Sequence, residues 1–213
     1  MTGFKGLTQE ALTLGNDYNQ AKATAQRPNP DLTPQAQERA TTAALERLGQ
    51  QFRPQFDVLR SRIDLERDAA LEQAARVRPT LDPTDTAALV RTEQAWTHNV
   101  RPLLERGQSL AEALAGADLD GVLGAERFAS SWLAQHAPEA TRLYDGQDVV
   151  AVTRQAVSAA LAGLQSDPEK GRAILAGDSA AQDHQNAVAV LAQAREGRTL
   201  EASLLAHYSG ETQ

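Results

Sequence analysis

The sequence predicts an all-α protein in which long N-terminal helical hairpins, coiled-coil-like or folded as a four-helix bundle, precede a compact C-terminal helical unit. Three observations predict it. Alanine makes up 39 of 213 residues, against 14 glycines and 9 prolines, and alanine loses no side-chain entropy in a helix. Apolar residues at Leu45, Leu48, Phe52, Phe56, Leu59, Ile63, Ala70, Ala74 and Val77 recur at steps of three, four or seven, the period of a helical seam. Opposite charges stand four apart beside that seam, at Arg60 and Asp64, Arg62 and Glu66, and Glu72 and Arg76, where helical side chains meet.

The elements follow in order. A first helix is expected over 7–25, ended by Arg27-Pro28-Asn29-Pro30. Thr33 before Pro34 is an N-cap followed by proline at the first helical position, and opens a helix over 34–52. Pro54 lacks the amide hydrogen and crowds the preceding turn, so a break or kink is expected at 49–54, with a third helix over 54–78. Whether the two hairpins then form a rod or a four-helix bundle depends on that break. Asp82 and Pro83 are placed to cap and start a fourth helix over 83–106, which presents Leu89, Trp96, Val100 and Leu103 on one face. Residues 1–106 are thus read as hairpins and 107–213 as a compact, acidic, five- or six-helix unit.

In that second part Ser109 and Glu112 form a capping-box pattern. Further helices are expected over 122–136, 148–164, from Asp167-Pro168 to Ala176, from Ser179 to Arg195, and from Thr199 to about His207. Leu-Ala-Gly recurs at 114, 161 and 175 and is read as marking helix ends, where glycine relieves a left-handed cap.

Composition narrows the function. With no cysteine there is no thiolate nucleophile, no disulfide and no cysteine-based metal centre. Residues 1–33 and 34–106 are each charge-balanced, whereas 107–213 hold seven basic and fourteen acidic side chains. Nucleic acid is not an expected partner, because no segment is net positive enough to displace phosphate counterions. The most apolar window, 149–164, is short and carries Arg154, so no membrane association is expected. The N-terminal stretch has no continuous apolar core of a secretory signal. The chain is read as soluble and cytoplasmic, or carried in a particle assembled there. Eighteen arginines against three lysines fit a GC-rich bacterial or phage coding sequence.

Candidate chemistry is sparse. His136 with Glu139, and Asp183 with His184, bring imidazole near carboxylate, but neither spacing supplies three or four ligands on one helix face. Asp118-Leu-Asp120-Gly121 with Glu126 puts glycine in the wrong place for a calcium loop and reads as a turn, as does Tyr144-Asp145-Gly146-Gln147-Asp148. No phosphate loop or serine-nucleophile motif is present, and no cofactor or metal is assigned. Trp96 and Trp132 are read first as core residues.

The leading expectation is a non-enzymatic structural or interaction protein that self-associates or joins a larger assembly, such as a phage or other bacterial particle. Its partner-binding residues are expected along Leu45, Leu48, Phe52, Phe56, Leu59 and Ile63. For residues 56–77 of that seam, packing within the chain against 83–106 is the preferred reading, whereas 36–52 have no assigned internal partner. The second expectation is a helical enzyme or small-ligand binder with a pocket in 109–207 near Trp132, His136 and Tyr144.

Overall fold

Helices and short turns make up the whole of residues 3–136 and 148–211, which a computed structural model describes, with side chains through residue 207. Among these residues there is no strand, and the fold is all-α. The helices are α1 (Gly3–Ala25), α2 (Pro34–Val77), α3 (Thr86–Ala95), a π-helical turn (Trp96–Val100), α4 (Arg101–Glu105), α5 (Leu110–Leu114), α6 (Leu119–Gln135), α7 (Val149–Gly163), α8 (Pro168–Glu196) and α9 (Thr199–Glu211). No helix among the described residues is long and apolar enough to cross a membrane.

The long N-terminal segment is one helix where two were expected. Pro54 sits inside α2 without interrupting it. Pro54 and Gln50, whose carbonyl loses its amide donor, both lie on the exposed side, where that oxygen is open to solvent instead of being left unpaired in the core. Phe52 and Phe56, one on each side of the proline, are buried and hold the flanking turns.

The chain packs as two units, Met1–Ala69 with Ala180–Gln213, and Ala70–Ser179. The expected division at Gly107 is replaced by one in which the first unit is assembled from both ends of the sequence. Its core joins Leu7 and Ala11 of α1 to Phe52, Phe56, Leu59 and Ile63 of α2, with Ala187, Val190, Leu191 and Ala194 of α8 and Ala202 of α9. These are the internal partners of the seam from Phe52 to Ile63, in place of the expected 83–106, whereas Val77 at its end packs against the cluster that holds Trp96, Val100 and Leu104, as expected. Tyr18 meets Phe52 and Phe56 at ring-centroid distances of 5.1 and 6.0 Å, and Gly15 lets α8 approach so closely that an added Cβ would lie 2.7 Å from that of Ala194.

Arg60 pairs with Asp64 and Glu72 with Arg76 as expected. Arg62 does not use Glu66. It reaches Glu10 on α1, with Nη2 donating to Oε1 at 3.0 Å and Nη1 to Oε2, a bidentate pair across the two helices.

The second unit surrounds Trp96, Val100, Leu104, Leu110, Leu114, Val122, Leu133, Val157, Leu161 and Ile174. Its first helix starts later than expected. Asp82 accepts from the backbone and hydroxyl of Thr84 at 2.8 and 2.7 Å, forming a turn, while Asp85 caps α3 by accepting from the Ala88 amide at 3.0 Å. The expected continuous helix to 106 is widened at Trp96–Val100, where the Arg101 amide bonds back to the Trp96 carbonyl. Pro102 explains this: it has no amide hydrogen for the His98 carbonyl, and a wider turn relieves its ring of that oxygen.

Ser109 and Glu112 form the expected capping box. The break expected at Ala176–Ser179 is absent, and α8 runs from Pro168 to Glu196. Gly177 is a packing glycine, since a Cβ there would come within 2.2 Å of the Ala74 Cβ. None of the Leu-Ala-Gly glycines has a left-handed backbone. That conformation is found at Gly107 and Gly197 (φ 87° and 86°), at the turns that follow α4 and α8.

Candidate docking groove

In the hairpin of α1 and the start of α2, no residue from Asn16 to Gln51 is buried. Its turn is internally braced. Gln37 accepts from the Asn29 amide through Oε1 (3.0 Å), and its Nε2 donates to the Arg27 carbonyl (3.3 Å) and the Thr41 hydroxyl (3.1 Å). Thr33 caps α2, accepting from the Ala36 amide at 3.4 Å. With Pro28, Pro30 and Pro34 limiting the backbone of the turn, the two helices are held in register at the tip.

Beyond the Tyr18–Phe52 contact the buried core ends. Between the helices lies an open groove of about 600 Å³, lined by Asp17, Gln20, Ala21, Thr24 and Ala25 of α1 and Ala44, Arg47 and Leu48 of α2. Its apolar lining is alanine and leucine, with Asp17 on the α1 side and Arg47 on the α2 side. Small side chains leave a second helix free to come close. The groove combines three alanines and a leucine with four polar side chains, Asp17, Gln20, Thr24 and Arg47.

Of the residues expected to bind a partner, Leu45 and Leu48 are half-buried and lie in or beside this hairpin. Phe52, Phe56, Leu59 and Ile63 belong to the unit's own core, with exposures of 8, 2, 4 and 0%, and present no surface. The α1 wall was not anticipated. The arms 7–25 and 34–52 and the Pro-Asn-Pro turn did predict a hairpin, but within and beyond the polar run Asp17-Tyr-Asn-Gln-Ala21 the only apolar lining residues of α1 are Ala21 and Ala25.

The other sequence candidates resolve as structure. His184 Nε2 lies 2.6 Å from Asp64 Oδ1, tying α8 to α2, and this hydrogen bond, with help from Arg60, holds the Asp64 carboxyl below its usual value. His136 stacks on Trp132 with centroids 4.3 Å apart, its Nδ1 2.8 Å from the Trp132 carbonyl. Glu139 and Tyr144 to Gln147 lie outside the described residues. Asp118 caps α6 through the Gly121 amide (2.8 Å), Asp120 pairs with Arg91, and Glu126 pairs with Arg78. Asp148 caps α7 through the Val150 amide. Trp96 is buried and Trp132 half-buried. Among the described residues no group of three histidine or acidic side chains could hold a metal ion.

Set against models of known families, curated proteins and solved structures, the chain matches none.

Proposed function

We propose that this chain is a non-enzymatic structural or interaction protein that works by helix packing in a homo-oligomer or a larger assembly, of the kind that builds a phage or other bacterial particle. The open groove between α1 and α2 carries the reading, because it is a partly apolar surface on a braced, two-helix arm, and such surfaces are ordinary sites for helix docking. The most exposed leucines of the same unit support it: Leu200 and Leu204 on α9 are 79 and 56% exposed, and Leu65 on α2 is 67% exposed. Scattered single leucines are common on monomers, so these count less than the groove.

The test is sedimentation of the purified chain over a range of concentrations, together with capture from the host in which it occurs. Self-association, or stoichiometric retention of a defined protein lost when Ala21→Glu blocks the groove, is expected. A monomer at every concentration that retains nothing overturns the reading.

A further inference from the structure

Residues 17–48 carry eight charged side chains, four of each sign: Asp17, Lys22, Arg27, Asp31, Glu38, Arg39, Glu46 and Arg47. Among the described residues none of them forms an ion pair within the chain. The contrast with the rest of α2 is sharp. Arg53, Arg60, Arg62, Arg67 and Arg76 each hold a carboxylate of their own chain. Apart from Lys22, which lies over the Tyr18 ring 5.0 Å from its centroid, the arm's charges meet no opposite charge among the described residues, on a chain whose net charge is −7.

Their order along α2 is self-complementary. Glu38-Arg39 and Glu46-Arg47 repeat the same pair of signs. Arg39 and Glu46 are seven apart and therefore share a face. When this helix lies antiparallel to a copy of itself, centred between Thr42 and Ala43, Arg39 of each copy falls opposite Glu46 of the other. Beside that flank, Ala36, Ala40 and Ala43 follow the four-three spacing of one face. They adjoin the groove wall at Ala44 and Arg47 and carry nothing larger than a methyl to keep a second helix away.

We infer that the arm docks on the same arm of a second copy of this chain, antiparallel about a two-fold axis near Thr42–Ala43, with two Arg39–Glu46 pairs across the junction. This rests on the reading of the protein as one that works by helix packing, and names its partner. A two-fold contact is isologous, so one self-complementary patch suffices and the assembly closes at two arms.

Charge reversal tests it. Glu46→Arg places arginine against Arg39 of the other copy twice over, and Arg39→Glu places glutamate against Glu46. Each single variant is expected to weaken self-association about tenfold, since like charges replace favourable ones at both symmetric positions. The double variant Arg39→Glu/Glu46→Arg rebuilds both pairs with reversed polarity, and restores association. Both residues are exposed, so circular dichroism is expected to show all three variants folded. Association that is unchanged by the single variants, or not restored in the double, overturns this docking while leaving the broader reading intact. A wild-type chain that is monomeric but retains another protein overturns self-docking alone, and one that is monomeric and retains nothing overturns both.

Discussion

Replacing Gly124 with alanine probes how closely the helices of the second unit approach. An added Cβ at Gly124 would lie 2.4 Å from the Thr92 carbonyl oxygen and 3.0 Å from the Trp96 Cβ, where real Cβ atoms stay at least 3.0 Å away. The obstructing oxygen is backbone, so α3 and α6 must separate. Two effects oppose. Alanine is favoured over glycine in a helix by about 1 kcal/mol, while overpacking costs about 1–3 kcal/mol. A fixed carbonyl places the cost at the upper end, and opening the crossing by about half an ångström also forfeits about a quarter of the dispersion attraction of each contact it stretches. The net expectation is destabilisation by about 1–2 kcal/mol, a fall in urea midpoint of roughly 0.5–1 M. Trp96 and Trp132 both belong to this unit, so their fluorescence follows its unfolding. Gly49→Ala is the control, because that glycine is inside α2 with nothing within 4 Å of an added Cβ. There only propensity acts, and circular dichroism should show stabilisation by about 0.5–1 kcal/mol. If Gly124→Ala matches or exceeds the wild type in stability, the close crossing of α3 and α6 is wrong.

Other outcomes follow from individual side chains. Ile63→Ala empties a fully buried site and should cost about 2–5 kcal/mol, read as an earlier unfolding transition by circular dichroism. Thr153 is 5% exposed and, among the described residues, its hydroxyl has no hydrogen-bond partner, so Thr153→Val should leave urea stability unchanged or raise it, because the desolvation cost of the hydroxyl disappears. Asp64 is held below its unfolded value of 3.8 by His184. Its contribution to stability is therefore complete above that value and lost as pH falls through the lower folded-state value. Urea titrations should show that acid-limb loss reduced in Asp64→Asn.

Periodicity made the seam from Phe52 to Ile63 legible, because burial repeats with the helical turn. It could not say what covers the seam. Ala187 to Ala194 return from far along the chain, and neither spacing nor local charge signals that long-range contact. Caps were legible where one residue acts on the next turn, as at Thr33 and Ser109. They were misplaced at Asp82, because two aspartates three residues apart can each accept a backbone amide and only packing chooses between them. Pro54 and Gly177 misled for a common reason. Both are breakers in isolation, and each lies where tertiary structure tolerates or needs it: Pro54 on the wet face, Gly177 where no Cβ fits beside Ala74. The groove was half legible through Leu45 and Leu48, while its α1 wall, made of Ala21 and Ala25, is too small to register as an apolar stripe.

Cysteine-directed cross-linking tests the central claim most directly, since the natural chain has no cysteine and a single introduced thiol can join only to its own copy. With a short bifunctional maleimide, Ala43→Cys should give a covalent dimer in high yield, and Ser61→Cys, exposed on the same helix beyond the arm, should stay monomeric. A dimer that fails to form at Ala43, or forms equally at both positions, would contradict a self-docking arm.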